Sequence, residues 1–70
     1  MNWTNCVVVE SNSKIMSGAP VITGTRIPVA VIFENIEGGA SIQDIVSWFP
    51  GISEEQIREV LRFTAKSAAA

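Results

Sequence analysis

The sequence contains no histidine and no tyrosine, and Cys6 is the single cysteine among its 70 residues. Histidine is the most common general base and metal ligand near neutral pH, so its absence removes the usual centre of acid–base or zinc chemistry. The acidic residues Glu34, Glu37 and Asp44 are scattered, and their spacing does not pair them for catalysis. The sequence therefore predicts no enzyme activity, no catalytic residue, no metal, no cofactor and no small-molecule substrate.

Positive charge is also scarce. Five basic residues stand against seven acidic ones, which gives a net charge of −2. Because a typical free-standing nucleic-acid binder is basic, this balance argues against strong non-specific DNA binding by a monomer. It does not exclude a local basic patch.

Long hydrophobic runs are absent, since no apolar stretch approaches the roughly 20 residues that span a bilayer. Residues 1–5 lack the basic and apolar regions of a signal peptide. A lone thiol fits a reducing compartment, and Cys6 is predicted to be a small buried hydrophobe beside Val7–Val9. These features predict a cytoplasmic protein with no membrane segment.

Residues 1–70 are predicted to form a single domain. A chain this short buries only about 60% of the surface that its unfolded form exposes, so it is marginally stable alone. Yet 47% of the residues are hydrophobic and the mean hydropathy is +0.31. The excess apolar content fits either a dense core or a surface shared with another chain. Because small scaffolds usually need a staple or a partner, we expect a homodimer or a larger assembly.

Residues 1–27 carry the signals of short strands and turns. The β-branched run Val7–Val9 predicts a strand. Lys14–Met16 and Val21–Ile22 predict one or two further extended segments, separated from the first strand by the turn-forming residues 11–13.

The segment Gly24–Thr25–Arg26–Ile27–Pro28 predicts a corner between a strand and a helix. Gly24 is expected to take a positive φ, and Pro28 suits the first turn of a helix, where its missing N–H costs nothing. Arg26 lies between them and must be near the surface if its charge is to be solvated. We assign Gly24, Thr25, Arg26 and Pro28 a structural or partner-binding role.

Residues 28–66 show an apolar period of 3.6, which predicts a bundle of three helices. Gly38 and Gly39 end the first helix. The second and third helices begin at capping boxes, and residues 67–70 are predicted to fray. The two capping boxes pair Ser41 with Asp44 and Ser53 with Gln56. The apolar stripes of the three helices comprise Val29, Ile32, Phe33 and Ile36; Ile42, Ile45, Val46 and Phe49; and Ile57, Val60 and Leu61.

The turn between the second and third predicted helices, Pro50–Ser53, has the length expected of a helix-turn-helix. Val46 and Ile57 are expected to pack between the two helices, with the small Ser47 where they approach closely and Gly51 in the turn. In the DNA-binding form of this motif the second helix enters the major groove by its N-terminal residues. The candidate DNA-binding residues are Ser53, Glu54, Arg58, Arg62 and Lys66.

The basic row on the third helix has two interpretations. Arg58, Arg62 and Lys66 recur at i+4 steps and could contact phosphates. The alternative is a solvated face, in which the basic side chains pair with glutamates at helical spacing. Those glutamates are Glu54, Glu55 and Glu59.

Three aromatic residues are candidates for either a core edge or an interface. Trp48 lies beside the apolar stripe of the second helix, and Phe63 beside that of the third. Trp3 lies in a polar N-terminal segment. Because aromatic side chains are favoured at interface hot spots, Trp48 is assigned as a partner-binding candidate, and Trp3 is a second one.

Several motifs between residues 18 and 64 together resemble a known family. The most specific is Gly24–Val29, which reads GTRIPV. The others are Gly18 with Pro20–Ile22, Gly39 with Ser41, Ile45 with Phe49–Pro50, and Ile57. In these motifs the chain resembles the family known as domain of unknown function 433, which comprises small antitoxin-like proteins.

The resemblance implies a mainly α fold, namely a three-helix, homeodomain-like bundle preceded by short N-terminal strands. It also implies an antitoxin that pairs with a PIN-like ribonuclease toxin, and such antitoxins commonly bind their own promoter DNA. Two hypotheses for function result. The chain is either a DNA-binding antitoxin or small regulator, or a protein-interaction module without affinity for DNA.

Overall fold

A computed structural model describes residues 1–69, and it confirms a mainly helical fold in which three helices follow a short antiparallel sheet. The sheet consists of two strands of two residues each, and a 3₁₀ turn at Met16–Gly18 lies between them. The strands are β1 (Val9–Glu10) and β2 (Val21–Ile22), and the helices are α1 (Val29–Glu37), α2 (Ile42–Trp48) and α3 (Glu54–Ala69).

The two strands pair antiparallel, with Val9 opposite Ile22 and Glu10 opposite Val21. The predicted strand Val7–Val9 was therefore wrong in extent. The N–H of Val9 donates to the carbonyl of Cys6 at 3.2 Å and closes a turn, which leaves Val7 85% exposed. Cys6 is buried, as predicted.

The segment Lys14–Met16 was also predicted to be extended, and this is confirmed only at Ile15, which has φ −119° and ψ 117° and forms an isolated antiparallel bridge with Asn12. Met16 and Ser17 have φ angles of 49° and 57°, in the left-handed region, and they are the first two residues of the 3₁₀ turn. The predicted extended segment Val21–Ile22 is confirmed as β2, and both of its side chains are completely buried.

Helix α1 begins and ends at the predicted residues to within one position. Pro28 has an extended ψ of 142° and immediately precedes the first helical residue, so it lies just ahead of the first turn rather than inside it. Gly38 closes the helix, and Gly39 follows at φ +100°, a conformation that favours glycine.

Both predicted capping boxes are present. The Ser41 hydroxyl accepts from the N–H of Asp44 at 3.0 Å, and the Asp44 carboxylate accepts from the N–H of Ser41 at 2.9 Å. Ser53 and Gln56 make the same reciprocal bonds at 3.1 and 2.8 Å. These contacts satisfy N–H groups that a helix start leaves unpaired, so they define where α2 and α3 begin.

Helix α3 is longer than predicted. It continues through Ala69, beyond its predicted end at residue 66 and into the segment 67–70 that was predicted to fray. Alanine has the highest intrinsic helix propensity, which accounts for the extension through Ala68 and Ala69. Ala70 lies outside the described residues.

The core lies where the three helices meet the sheet, and it is entirely apolar. The most completely buried side chains are Val21, Ile22, Val29, Ile32, Ile45, Ile57 and Val60. Trp3 packs its ring on Phe63 of α3 with ring centroids 5.3 Å apart, which ties the N-terminal segment to the last helix. Within residues 1–69, no helix is both long and apolar enough to cross a membrane.

Candidate nucleic-acid interface

Helices α2 and α3 form the predicted helix-turn-helix pair. The turn between them is tight, because Gly51 takes φ +99° and the N–H of Ile52 donates to the carbonyl of Phe49 at 3.3 Å. Ile52 and Ile57 are buried in the shared core. Val46 is half-buried against that core, as expected, but Ser47 is exposed, so its predicted place at a close helix approach was wrong.

Helix α3 divides into a buried and an exposed side. Ile57 and Val60 are completely buried and fix the orientation of the helix. The exposed side and the cap residue just before it carry all five predicted DNA-binding residues, none of which packs in the core. They are Ser53, Glu54, Arg58, Arg62 and Lys66.

The arginines of this exposed side are held by glutamates of the same helix. Arg58 Nε lies 2.8 Å from Glu54 Oε2. Arg62 Nη2 lies 2.7 Å from Glu55 Oε1 and 2.8 Å from Glu59 Oε2. The hydrogen bonds that Arg62 donates to the carboxylates of Glu59 and Glu55 raise the pKa of Arg62 above its ordinary value.

These ion pairs correspond to the second interpretation of the basic row, a solvated face paired with glutamates. They nevertheless leave both arginines accessible to a ligand from solvent. All the paired side chains are 40% exposed or more, and solvent-exposed pairs contribute little net stability. Glu54 is held further by the side-chain amide of Gln43, which donates to it at 3.0 Å. The two arginines can therefore exchange a carboxylate for a phosphate at small cost, whereas Lys66 on the same face forms no ion pair within residues 1–69.

The corner before α1 is built as predicted around Gly24, which takes φ +81°. The Thr25 hydroxyl donates to the carbonyl of Ile22 at 2.7 Å and accepts from the N–H of Ile27 at 3.0 Å. The carboxylate of Glu10 accepts from the N–H of Gly24 at 2.8 Å. Sequence reasoning missed Glu10, since no local pattern connects it with a residue 14 positions away.

Arg26 is exposed, and within the part of the chain that the structure describes it forms no ion pair. The residue before it adjoins the helix-turn-helix turn. The Cγ2 methyl of Thr25 lies 3.9 Å from the position that a Cβ on Gly51 would occupy. The structure thus brings together the corner and the α2–α3 turn, which no sequence pattern connects.

Trp48 is 57% exposed at the end of α2. It lines an open cleft whose acidic members are Glu34 and Asp44 and whose remaining wall is Asn35 of α1 and the connection between α1 and α2. An exposed indole beside carboxylates suits contact with another protein, so Trp48 keeps its place as a partner-binding candidate. Trp3, by contrast, packs on Phe63 within the chain.

Metal-ligating residues do not gather in the described part of the chain. Among residues 1–69, no three histidine, cysteine, aspartate or glutamate side chains lie close enough to hold a metal ion.

Comparison with known proteins gives a family and one distant relative. Residues 9–64 match the family described as "Protein of unknown function (DUF433)". A relative from Sinorhizobium fredii (strain NBRC 101917 / NGR234), "Uncharacterized protein y4eO", is 33% identical over 51 residues. That match covers 73% of this chain but 23% of the relative, so the chain spans about a quarter of the relative's length.

No solved structure matches the chain. The family match nonetheless begins at the first residue of β1 and ends inside α3, so it includes the corner, the helix-turn-helix pair and the arginines of α3. The chain belongs to the DUF433 family.

Proposed function

We propose that the chain is an antitoxin-like DNA-binding regulator that pairs with a PIN-like ribonuclease toxin. One observation carries the proposal: α2 and α3 are joined by a tight turn, and the outer side of α3 takes no part in the core. A helix-turn-helix that reads DNA needs a second helix with one side that does not pack in the core, because that side enters the major groove. The resemblance to antitoxin-like proteins supports the toxin partner.

In this function the start of α3 enters the major groove. Ser53 and Glu54 are nearest to the base edges, and glutamate can accept a hydrogen bond from N4 of cytosine. Further along the helix, Arg58, Arg62 and Lys66 contact phosphates. The two arginines then leave their glutamates, an exchange that a solvent-exposed pair permits.

The active species in this proposal is a homodimer or larger assembly, free or bound to the toxin. A monomer with net charge −2 gains little from phosphate attraction. Two copies place two α3 helices along the duplex and double the number of basic rows. We further propose that the protein itself catalyses no reaction and acts in the cytoplasm.

The test is a gel shift against the DNA upstream of the gene, at several salt concentrations, with and without a ribonuclease encoded beside it. The Arg58→Ala/Arg62→Ala variant should lower the salt slope of binding by about two, because each lost phosphate contact removes about one. The Glu59→Gln/Arg62→Ala variant keeps the net charge constant and should lower the slope by about one. If the wild type binds no DNA either with or without the ribonuclease, DNA binding is refuted.

The second candidate function is a protein-interaction module without DNA affinity, and the exposed indole of Trp48 favours it. Trp48→Ala should then weaken self-association or toxin capture while the fold persists. Sedimentation of the wild type and the variant, with circular dichroism as the control for folding, measures this. A wild type that binds no DNA, together with a Trp48 variant that no longer assembles, would select this second function.

A further inference from the structure

We infer that Arg26 is a phosphate-contacting residue of the DNA interface, which the Gly24–Pro28 corner places beside the α2–α3 turn. The inference rests on the proposed DNA-binding function and extends its interface beyond α3. Three observations support it: the availability of the guanidinium, its position, and the rigidity of the segment that carries it.

The first observation is availability. Arg58 and Arg62 are both engaged by glutamates within 2.8 Å, so each must lose a carboxylate before it binds a phosphate. Arg26 is exposed and has no ion pair anywhere in residues 1–69. The carboxylate of Glu10, which contacts the corner, accepts a hydrogen bond from the N–H of Gly24 and forms no ion pair with Arg26. The guanidinium of Arg26 can therefore bind a phosphate without first losing a carboxylate partner.

The second observation is position. The methyl group of Thr25 adjoins Gly51, and Gly51 lies three residues before the first residue of α3. In helix-turn-helix complexes, contacts to the phosphate backbone flank the helix that enters the groove and fix its register. A cation at this corner would contact the phosphate backbone of the DNA next to the N-terminal end of α3, whereas Arg62 and Lys66 lie further along the helix.

The third observation is rigidity. Hydrogen bonds of Thr25 fix the corner on both sides of Arg26, to Ile22 before it and Ile27 after it. The N–H of Ile22 also donates to the carbonyl of Ile27 at 3.0 Å, which closes the loop. Only the Arg26 side chain must be ordered on binding, so the entropic cost of the contact is small compared with that of a mobile loop.

The inference is tested by the salt dependence of binding to the upstream DNA, measured for the wild type and three variants. Arg26→Ala should lower the salt slope by about one and weaken binding about tenfold at roughly 0.1 M salt. Arg26→Lys keeps the charge and should keep most of the slope. Lys14→Ala removes the same charge from a separate exposed turn and should leave the slope unchanged.

The outcomes separate this inference from the proposed function. If the wild type binds no DNA, both are wrong. If the wild type binds and Arg26→Ala has the wild-type slope, only the role of Arg26 is wrong. If Lys14→Ala reduces the slope as much as Arg26→Ala does, the effect is one of overall charge, and the role of Arg26 is again wrong. Melting curves establish folding, and Arg26→Gln replaces the alanine variant if that variant does not fold.

Discussion

The N-terminal region, residues 1–28, and the helical region, residues 29–69, satisfy their polar backbone groups in different ways. In the helical region most bonds are local, and the starts of α2 and α3 are closed by side chains three residues away. Helix α1 is the exception, because the N–H of Val29 donates to the carbonyl of Pro20 at 2.9 Å. In the N-terminal region each strand has only two residues, and key bonds bridge distant positions. The N–H of Thr23 donates to the carbonyl of Val8, and that of Gly24 donates to the carboxylate of Glu10.

The difference shows which region depends on the other. A two-residue strand pair has almost no stability of its own, so β1 and β2 are held by the core on which they pack. Cys6, Val9 and Ile22 belong to the same buried cluster as the helix residues Ile32 and Ile57. Damage to that core should unfold both regions, damage to the corner should act on the N-terminal region first, and damage to a cap should act on one helix.

The largest effect is expected from Ile57→Ala, which removes side-chain volume from a completely buried site in α3. It should lower the free energy of unfolding by about 2–5 kcal/mol, with both regions lost in one transition. The matched control Ile57→Val should cost about 0.5–1.5 kcal/mol. Urea titrations followed by helix signal and by Trp3 fluorescence measure both, in a Trp48→Phe background that leaves Trp3 as the single tryptophan. Separate transitions for the two probes would contradict the shared core.

The next effect is expected at the corner. Gly24→Ala forces a side chain into φ +81° with no atom within 4 Å of the new Cβ, so its cost is backbone strain alone, about 1–2 kcal/mol. Gly24→Val adds β-branching and should cost more. The matched control is Gly38→Ala, since Gly38 has an ordinary helical φ of −75° and should tolerate the change. Equal melting temperatures for the two alanine variants would show that the corner does not need its glycine.

The same contrast between local and distant contacts explains what could be predicted from sequence. The helices were predicted because their signals lie within four residues: the serine caps, the closing glycines and the apolar period of 3.6. The positive φ of Gly24 was predicted because it is required by the turn in which the residue itself lies. The strand at Val7–Val9 was placed too early, because β-branched composition does not reveal the turn that Cys6 closes.

The candidate site was predicted only in part, for a related reason. Every exposed cation of α3 was predicted from the sequence. The i+4 spacing, however, fits both phosphate contacts and ion pairs within the helix. Only side-chain geometry shows that Arg62 lies between two glutamates. No local pattern linked Thr25 to Gly51 or Glu10 to Gly24, since their contacts depend on the packed core. The exposure of Trp48 likewise follows from how α2 is rotated, which a broad apolar stripe leaves undetermined.

A smaller effect is expected at the helix caps. Ser41→Ala removes the hydroxyl that accepts from the N–H of Asp44, and it should cost about 1 kcal/mol. Ser53→Ala should cost a similar amount at the start of α3. Ser47→Ala, at an exposed position inside α2, is the matched control and should lose no stability, because alanine is the better helix former. Thermal unfolding compares the three, and a Ser47 variant as unstable as the cap variants would argue against the capping boxes.

The smallest effect is expected from the ion pairs of α3, for which Glu59→Gln is the informative change. It removes one carboxylate from Arg62, and because exposed pairs contribute little, the melting temperature should fall less than in either cap variant. Glu37→Gln is the matched control, an exposed acid outside every ion pair of residues 1–69. Raising the salt concentration should shrink the difference between the two variants, because salt screens exposed charges.

The pairing of Arg62 should contribute no pH dependence near neutrality. Its pKa is raised in the folded state, so the stabilisation is complete below the ordinary arginine value and is lost only as the pH rises through the raised one. Both values lie far above the range from about pH 6 to about pH 9, where arginine stays charged. The difference in melting temperature between wild type and Glu59→Gln should therefore be constant across that range. A difference that vanishes by about pH 9 would mean that Glu59 is paired with a group other than Arg62.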